Sequence, residues 1–133
     1  MTEQDLAAEL ILQTLRAGSQ GEMPFMPIVS GGPNSANPHA TPSTRPIQPG
    51  DLLVIDWGAA YEGYFSDLTR TFAIGEVSPE YRRIAEIVLQ ANAAGRAAGK
   101  PGAPAKAVDQ AARGVIEAAG YGEYFTHRTG HGI

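Results

Sequence analysis

The sequence has no cysteine, which excludes disulfide frameworks, thiolate metal sites and cysteine nucleophiles. Charge is sparse, at 18% of 133 residues, and ten basic against fourteen acidic side chains leave a formal net charge of -4. The basic residues are scattered, so no stripe exists to track a phosphate backbone, and nucleic acid is not an expected partner. No apolar run approaches the roughly 20 residues that a membrane-spanning helix requires. Glu3, Asp5 and Glu9 occupy the region where a secretory leader needs a basic start and an unbroken apolar stretch. A cytoplasmic location without a membrane partner is therefore the default expectation. Any chemistry must rest on carboxylate, imidazole and hydroxyl groups.

What is present suits one globular domain or part of one: 43% of the residues are hydrophobic, enough for a single core. Thr2 to Ala17 reads as a helix, with Thr2 as N-cap, Asp5 placed for a capping box, and Leu6, Leu10, Ile11 and Leu15 as its apolar stripe; Gly18 ends it. Pro24 to Pro49 is dense in Pro, Gly, Asn and Ser, which predicts a long ordered loop with one short strand at Phe25 to Val29. Leu52 to Trp57 predicts a buried strand, and a Gly58 to Gly63 connection leads to a second strand from Tyr64 to Ile74, forming a hairpin. Ser78-Pro79 starts a helix that runs to Ala98 with Tyr81, Ile84, Ala85, Val88 and Leu89 on one face. Pro104 opens another helix, with Val108, Ala112, Val115, Ile116 and Ala119 inward and Gly120 after its end. Tyr124 to Ile133 reads as the start of a further strand. The expected class is α+β.

Two carboxylates carry the most information. Asp56 ends the apolar run Leu-Leu-Val-Ile, where an ionised group is costly unless something binds it. Asp67 lies an odd number of residues further on, so a hairpin with a two- or four-residue loop puts both side chains on one face as cross-strand neighbours. Opposed Cβ atoms stand roughly 4.5–5.5 Å apart, a repulsive arrangement for an empty site and a natural one for cations, two of which sit about 3.5–4 Å apart in dinuclear centres. A turn residue at Asp56 and a solvated strand residue at Asp67 is an equally good reading of the residues alone. His131, bracketed by Gly130 and Gly132, has room to bind a metal, but a terminal loop histidine would look the same. His39 and His127 are open to the same two readings, as substrate-contacting imidazoles or as surface loop residues.

Four segments taken together resolve this ambiguity through a resemblance. Ile28-Val-Ser-Gly-Gly-Pro-Asn-Ser-Ala-Asn-Pro-His-Ala-Thr-Pro, Gly50-Asp-Leu-Leu-Val-Ile-Asp-Trp-Gly, Gly63-Tyr-Phe-Ser-Asp-Leu-Thr-Arg-Thr-Phe and Phe125-Thr-His-Arg-Thr-Gly-His-Gly-Ile are similar, in order, to Xaa-Pro dipeptidases and Xaa-Pro aminopeptidases. The resemblance implies a pita-bread fold, an antiparallel sheet with covering helices. It implies a centre of two divalent ions (Mn, Co, Fe or Zn, with Mn slightly favoured), with Asp56 chelating one ion, Asp67 bridging both and His131 binding the other. It makes His39 and His127 the histidines that meet the substrate beside the scissile bond, and leaves Thr69 and Arg70 as supporting residues. The implied reaction is hydrolysis of the bond between an unblocked residue and proline.

The family completes its site with two glutamates and a further histidine on later strands, which these 133 residues do not include. A partial catalytic domain spanning 1–133 is therefore expected, lacking the family's N-terminal domain and the end of the catalytic domain, and inactive by itself. An exposed strand edge in such a chain predicts a homodimer. Methionine aminopeptidase shares the aspartate spacing, but the Pro-Asn-Ser-Ala-Asn-Pro-His loop points to the proline-specific branch. A metal-free pseudo-peptidase binding module is disfavoured by Asp56, Asp67 and His131, which also argue against the creatine-hydrolysing relatives.

Overall fold

Helix α1 (Glu3–Arg16) begins where Thr2 and Asp5 close a reciprocal capping box: the Thr2 N–H donates to Asp5 Oδ2 at 2.8 Å and the Asp5 N–H to Thr2 Oγ1 at 3.1 Å. It ends in a Schellman turn, with Gly18 at φ +106° and the Ser19 N–H reaching the Thr14 carbonyl. The computed structural model describes residues 1–131. They form two units that meet in sequence at Ser78 and Pro79. Among the described residues, no helix is long and apolar enough to cross a membrane.

In the first unit, β1 (Ile28–Gly31), β2 (Leu52–Trp57) and β5 (Leu68–Ala73) form an antiparallel sheet in the order β1-β2-β5. The short strands β3 (Ala60–Tyr61) and β4 (Tyr64–Phe65) make a separate two-stranded ribbon. The expected strand at Phe25 to Val29 is shifted to begin at Ile28, because Pro24 and Pro27 have no N–H to give to a ladder. The long second strand from Tyr64 to Ile74 is also divided: β4 and β5 are separate, with Ser66 and Asp67 between them. Val29 and Leu53 from the sheet and Ala7 from α1 make the core, joined by Leu6, Leu10, Ile47, Ile55 and Ile74. Leu15, expected in the apolar stripe, is exposed, while Glu3 is fully buried.

In the second unit, α2 (Pro79–Ala98) packs on α3 (Ala105–Ala118) through Ala91, Ala112 and Ile116. The buried face of α2 is not the expected one. Ala91 and Gly95 are its buried residues, and Val88 and Leu89 are 51% and 69% exposed. Small side chains allow the helix backbones to approach, so the packing seam follows alanine and glycine rather than the largest apolar residues. α3 faces inward as its periodicity predicts. It closes in a second Schellman turn, with Gly120 at φ +86° and the Tyr121 N–H on the Ile116 carbonyl at 3.0 Å. The expected strand from Tyr124 is absent among the described residues. A single 3₁₀ turn, Gly122–Tyr124, is followed by irregular chain to His131; Gly132 and Ile133, the rest of that expected strand, lie outside the described residues.

Candidate metal and peptide site

The hairpin register places the carboxylates. Glu62 and Gly63 form a two-residue turn with left-handed φ at both positions, +49° and +83°, the combination that lets a tight hairpin follow strand twist. Tyr61 therefore faces Tyr64 and Ala60 faces Phe65. The same register continues through Trp57 opposite Leu68 and Asp56 opposite Thr69. Asp67 is thus not directly opposite Asp56, as direct cross-strand pairing required. It lies two residues nearer the turn, at the level of Gly58, and alternation keeps it on the Asp56 side. β1 adds Ile28 opposite Asp56 on the other flank.

Gly58 is needed for this arrangement. A Cβ there would overlap the Ser66 carbonyl oxygen and press on Pro24 Cγ at 2.5 Å. Beside it, the Ala59 N–H donates to Ser66 Oγ at 3.0 Å and the Ser66 N–H to the Ala59 carbonyl at 2.9 Å, so the ladder bridges the break between the two hairpin pieces.

Asp56, Asp67 and His39 line one cavity of about 390 Å³, whose apolar wall is Phe25, Met26, Pro27 and Ile28 and whose far rim is Pro38 to Pro42. Asp56 is half-buried, and Asp67 and His39 are exposed. The loop that carries His39 is tied down from below. The Glu3 carboxylate accepts from the Gly31 N–H (2.7 Å), Asn34 Nδ2 (3.0 and 3.1 Å), the Ser43 N–H (2.9 Å) and Ser43 Oγ (2.6 Å). Burial pushes the Glu3 carboxyl up, but these donors outweigh it and hold the group below its ordinary range. Next to it, Arg45 grips Asp51 with two parallel bonds of 2.7 and 2.8 Å. That guanidinium, with help from the Gln48 N–H, holds Asp51 low against the opposing effect of burial. The first N–H groups of α1 are satisfied from the same loop, Glu3 by the Arg45 carbonyl and Gln4 by the Ser43 carbonyl, both at 3.1 Å.

His127 and His131 belong to the second unit, where the chain after α3 is held by an ion pair. Arg113 pairs with Asp109 through Nε and Nη2, at 2.9 and 3.1 Å. It also donates to the carbonyls of Phe125 (2.7 Å) and His127 (3.0 Å), and its guanidinium lies 4.7 Å from the centre of the Phe125 ring. Asp109 accepts the Thr129 N–H at 2.8 Å. Sequence reasoning did not single out Glu3, Arg45, Asp51, Asp109 or Arg113. Only the i, i+4 spacing of Asp109 and Arg113 offered a signal.

Among the described residues, no group of three or more acidic, histidine or cysteine side chains is gathered closely enough to hold a metal ion. The first unit's cavity brings together two carboxylates on one side of a sheet with a histidine on its rim, a donor set of the oxygen-rich kind that suits a hard or borderline divalent cation.

A model of metallopeptidase family M24 matches residues 1–133. The chain is similar to the prolidase from Pyrococcus furiosus, with a TM-score of 0.95 and 41% identity over 100% of this chain and 39% of that one. It is also similar to the Xaa-Pro dipeptidase from Bacillus anthracis, with a TM-score of 0.94 and 41% identity over 100% of this chain and 37% of the other. It is 42% identical over 133 residues to a curated Bacillus subtilis (strain 168) relative, of whose length it spans 36%. These likenesses bear out the α+β, pita-bread expectation, of which the chain forms an incomplete part. The chain belongs to metallopeptidase family M24.

Proposed function

We propose that these residues supply part of the site of a metal-dependent peptidase that cleaves the bond between an N-terminal residue and proline. The observation that carries the reading is the joint lining of one cavity by Asp56, Asp67 and His39 beside an apolar wall. The relatives named as prolidase and Xaa-Pro dipeptidase support the substrate class. Asp56, on the central strand, is the better-fixed carboxylate and takes the chelating role. Asp67, at the break between β4 and β5, would be the ligand shared by the two ions. His131 is the imidazole ligand. His39 and His127 contact the peptide near the scissile bond, where a neutral imidazole can donate to or accept from an amide. Divalent ions held by this set, manganese first among the candidates, would supply Lewis acidity toward the scissile carbonyl and activate water. The location is the cytoplasm, and the 133-residue chain forms a homodimer through its exposed strand edge.

Two carboxylates hold a cation weakly without further ligands. The 133-residue chain should therefore bind Mn²⁺ loosely by calorimetry and release no measurable proline from an Xaa-Pro dipeptide. In an intact enzyme containing these residues, Asp67→Asn should lower activity by more than the roughly 10–100-fold typical of a partner outside the ligand shell, and should reduce bound metal at both positions. Near-normal proline release with full metal content in that variant would refute the assignment. A panel of dipeptides and longer Xaa-Pro peptides separates dipeptidase from aminopeptidase.

A further inference from the structure

We propose that Glu3 is a positioning residue for His39: one buried carboxylate at the start of α1 closes the neck of the loop that holds this imidazole over the Asp56 and Asp67 cavity. Its functional meaning rests on the peptidase reading, whereas its structural claim does not.

The donors that Glu3 collects bracket His39 in sequence. Asn34 lies five residues before it and Ser43 four residues after it, and both bond the same carboxylate. A further bond from the Gly31 N–H ties the neck to the end of β1, the strand that places Ile28 opposite Asp56. The chain between is short and internally braced. The Asn37 N–H reaches the Asn34 carbonyl at 3.0 Å, the His39 N–H reaches Asn37 Oδ1 at 3.0 Å, and the Ala40 N–H reaches the Asn37 carbonyl at 3.1 Å. With its neck closed, such a loop has few ways to move. With the neck open, the bonds from Asn34 and Ser43 to Glu3 no longer hold the two ends of the loop together.

The chemistry requires a carboxylate. Gly31 N–H, Asn34 Nδ2, Ser43 N–H and Ser43 Oγ–H are all donors, and an ionised carboxylate is the side chain that offers acceptors alone, with about four lone-pair directions. A glutamine of the same shape would turn an NH₂ group toward N–H and O–H groups and leave buried donors unsatisfied. Glu3 is 0% exposed, so water cannot restore those bonds. The arrangement couples the first turn of α1 to a cavity residue 36 positions away without Glu3 itself lining the cavity.

The test compares Glu3→Gln with the parent chain by NMR relaxation. Backbone order parameters of Asn37 to Thr41 and the His39 ring carbon signals are measured alongside the unfolding midpoint. Ala7→Gly, a destabilising change in the same helix that leaves the carboxylate in place, serves as the control. The expected result is that the loop falls from the rigid range, about 0.85, toward the flexible range below about 0.6 in Glu3→Gln, with displaced His39 signals, while Ala7→Gly loses stability and keeps the loop ordered. If Glu3→Gln does not fold, Asn34→Ala combined with Ser43→Ala removes the side-chain half of the neck and should loosen the same residues. An unchanged loop in whichever of these folds, or equal loosening in Ala7→Gly, overturns the proposal. Neither metal nor substrate enters the measurement, so its failure would leave the peptidase reading standing.

Discussion

Gly58 and Glu3 show how single positions hold the site. Gly58 has no room for a side chain, because the Ser66 carbonyl and the Pro24 ring occupy the space a Cβ would need. Gly58→Ala should therefore lower stability by about 2 kcal/mol or more, in the range of other overpacking changes, and should disturb the level at which Asp67 sits. Urea unfolding followed by the single tryptophan, Trp57, one residue away, reads both effects; a midpoint unchanged from the parent would show that the hairpin relaxes freely. Glu3 and Asp51 make a pH prediction. In each case burial is outweighed by hydrogen bonding, for Asp51 chiefly from Arg45, so the folded group binds its proton less readily than the unfolded one. A lowered folded pKa contributes stability that is present above the unfolded value and lost as pH falls. The unfolding midpoint should be flat from pH 7 to about 5 and then drop through about 4 and below, with a shallower drop in Asp51→Asn.

Among the elements, the α2 and α3 pair is the simplest to improve. Gly95 sits inside α2 with an ordinary helical backbone, and an added Cβ would meet its nearest neighbours, Ala112 Cβ and Val108 Cγ1, at 3.6 Å, which is normal contact. Gly95→Ala should stabilise the second unit by about 1 kcal/mol through helix propensity alone. A fall in thermal midpoint would show that the seam has less room than these distances indicate. The Asp109 and Arg113 pair acts from the same element on the chain that follows, fixing the carbonyls of Phe125 and His127 and the Thr129 N–H. Backbone anchoring of this kind orients a histidine segment through its main chain.

The molecule as a whole presents an edge. β5 borders the three-stranded sheet, pairs only with β2 among the described residues, and carries Leu68 and Phe72 at 39% and 47% exposure. An unprotected strand edge with apolar side chains is a template for pairing with another chain. The 133-residue chain should self-associate, and light scattering across a concentration series should find a dimer or larger species. A monodisperse monomer at high concentration would count against that expectation.

Local chemistry made much of this readable in advance. Capping residues and 3.6-residue periodicity marked all three helices, because those signals act within one or two turns of chain. Four ordered motifs marked the family, and alternation put Asp56 and Asp67 on one side of a hairpin. The offset between the two carboxylates depended on which two residues form the turn, and Glu62-Gly63 is not among the commonest turn pairs. The buried face of α2 depended on how closely a second helix could approach, which favoured Ala91 and Gly95 over Val88 and Leu89. The burial of Glu3 depended on donors 28 to 40 residues away in sequence. No local pattern distinguishes a carboxylate destined for such a neck from the solvated acids around it, because its role is set only when a distant loop folds back onto the start of the helix.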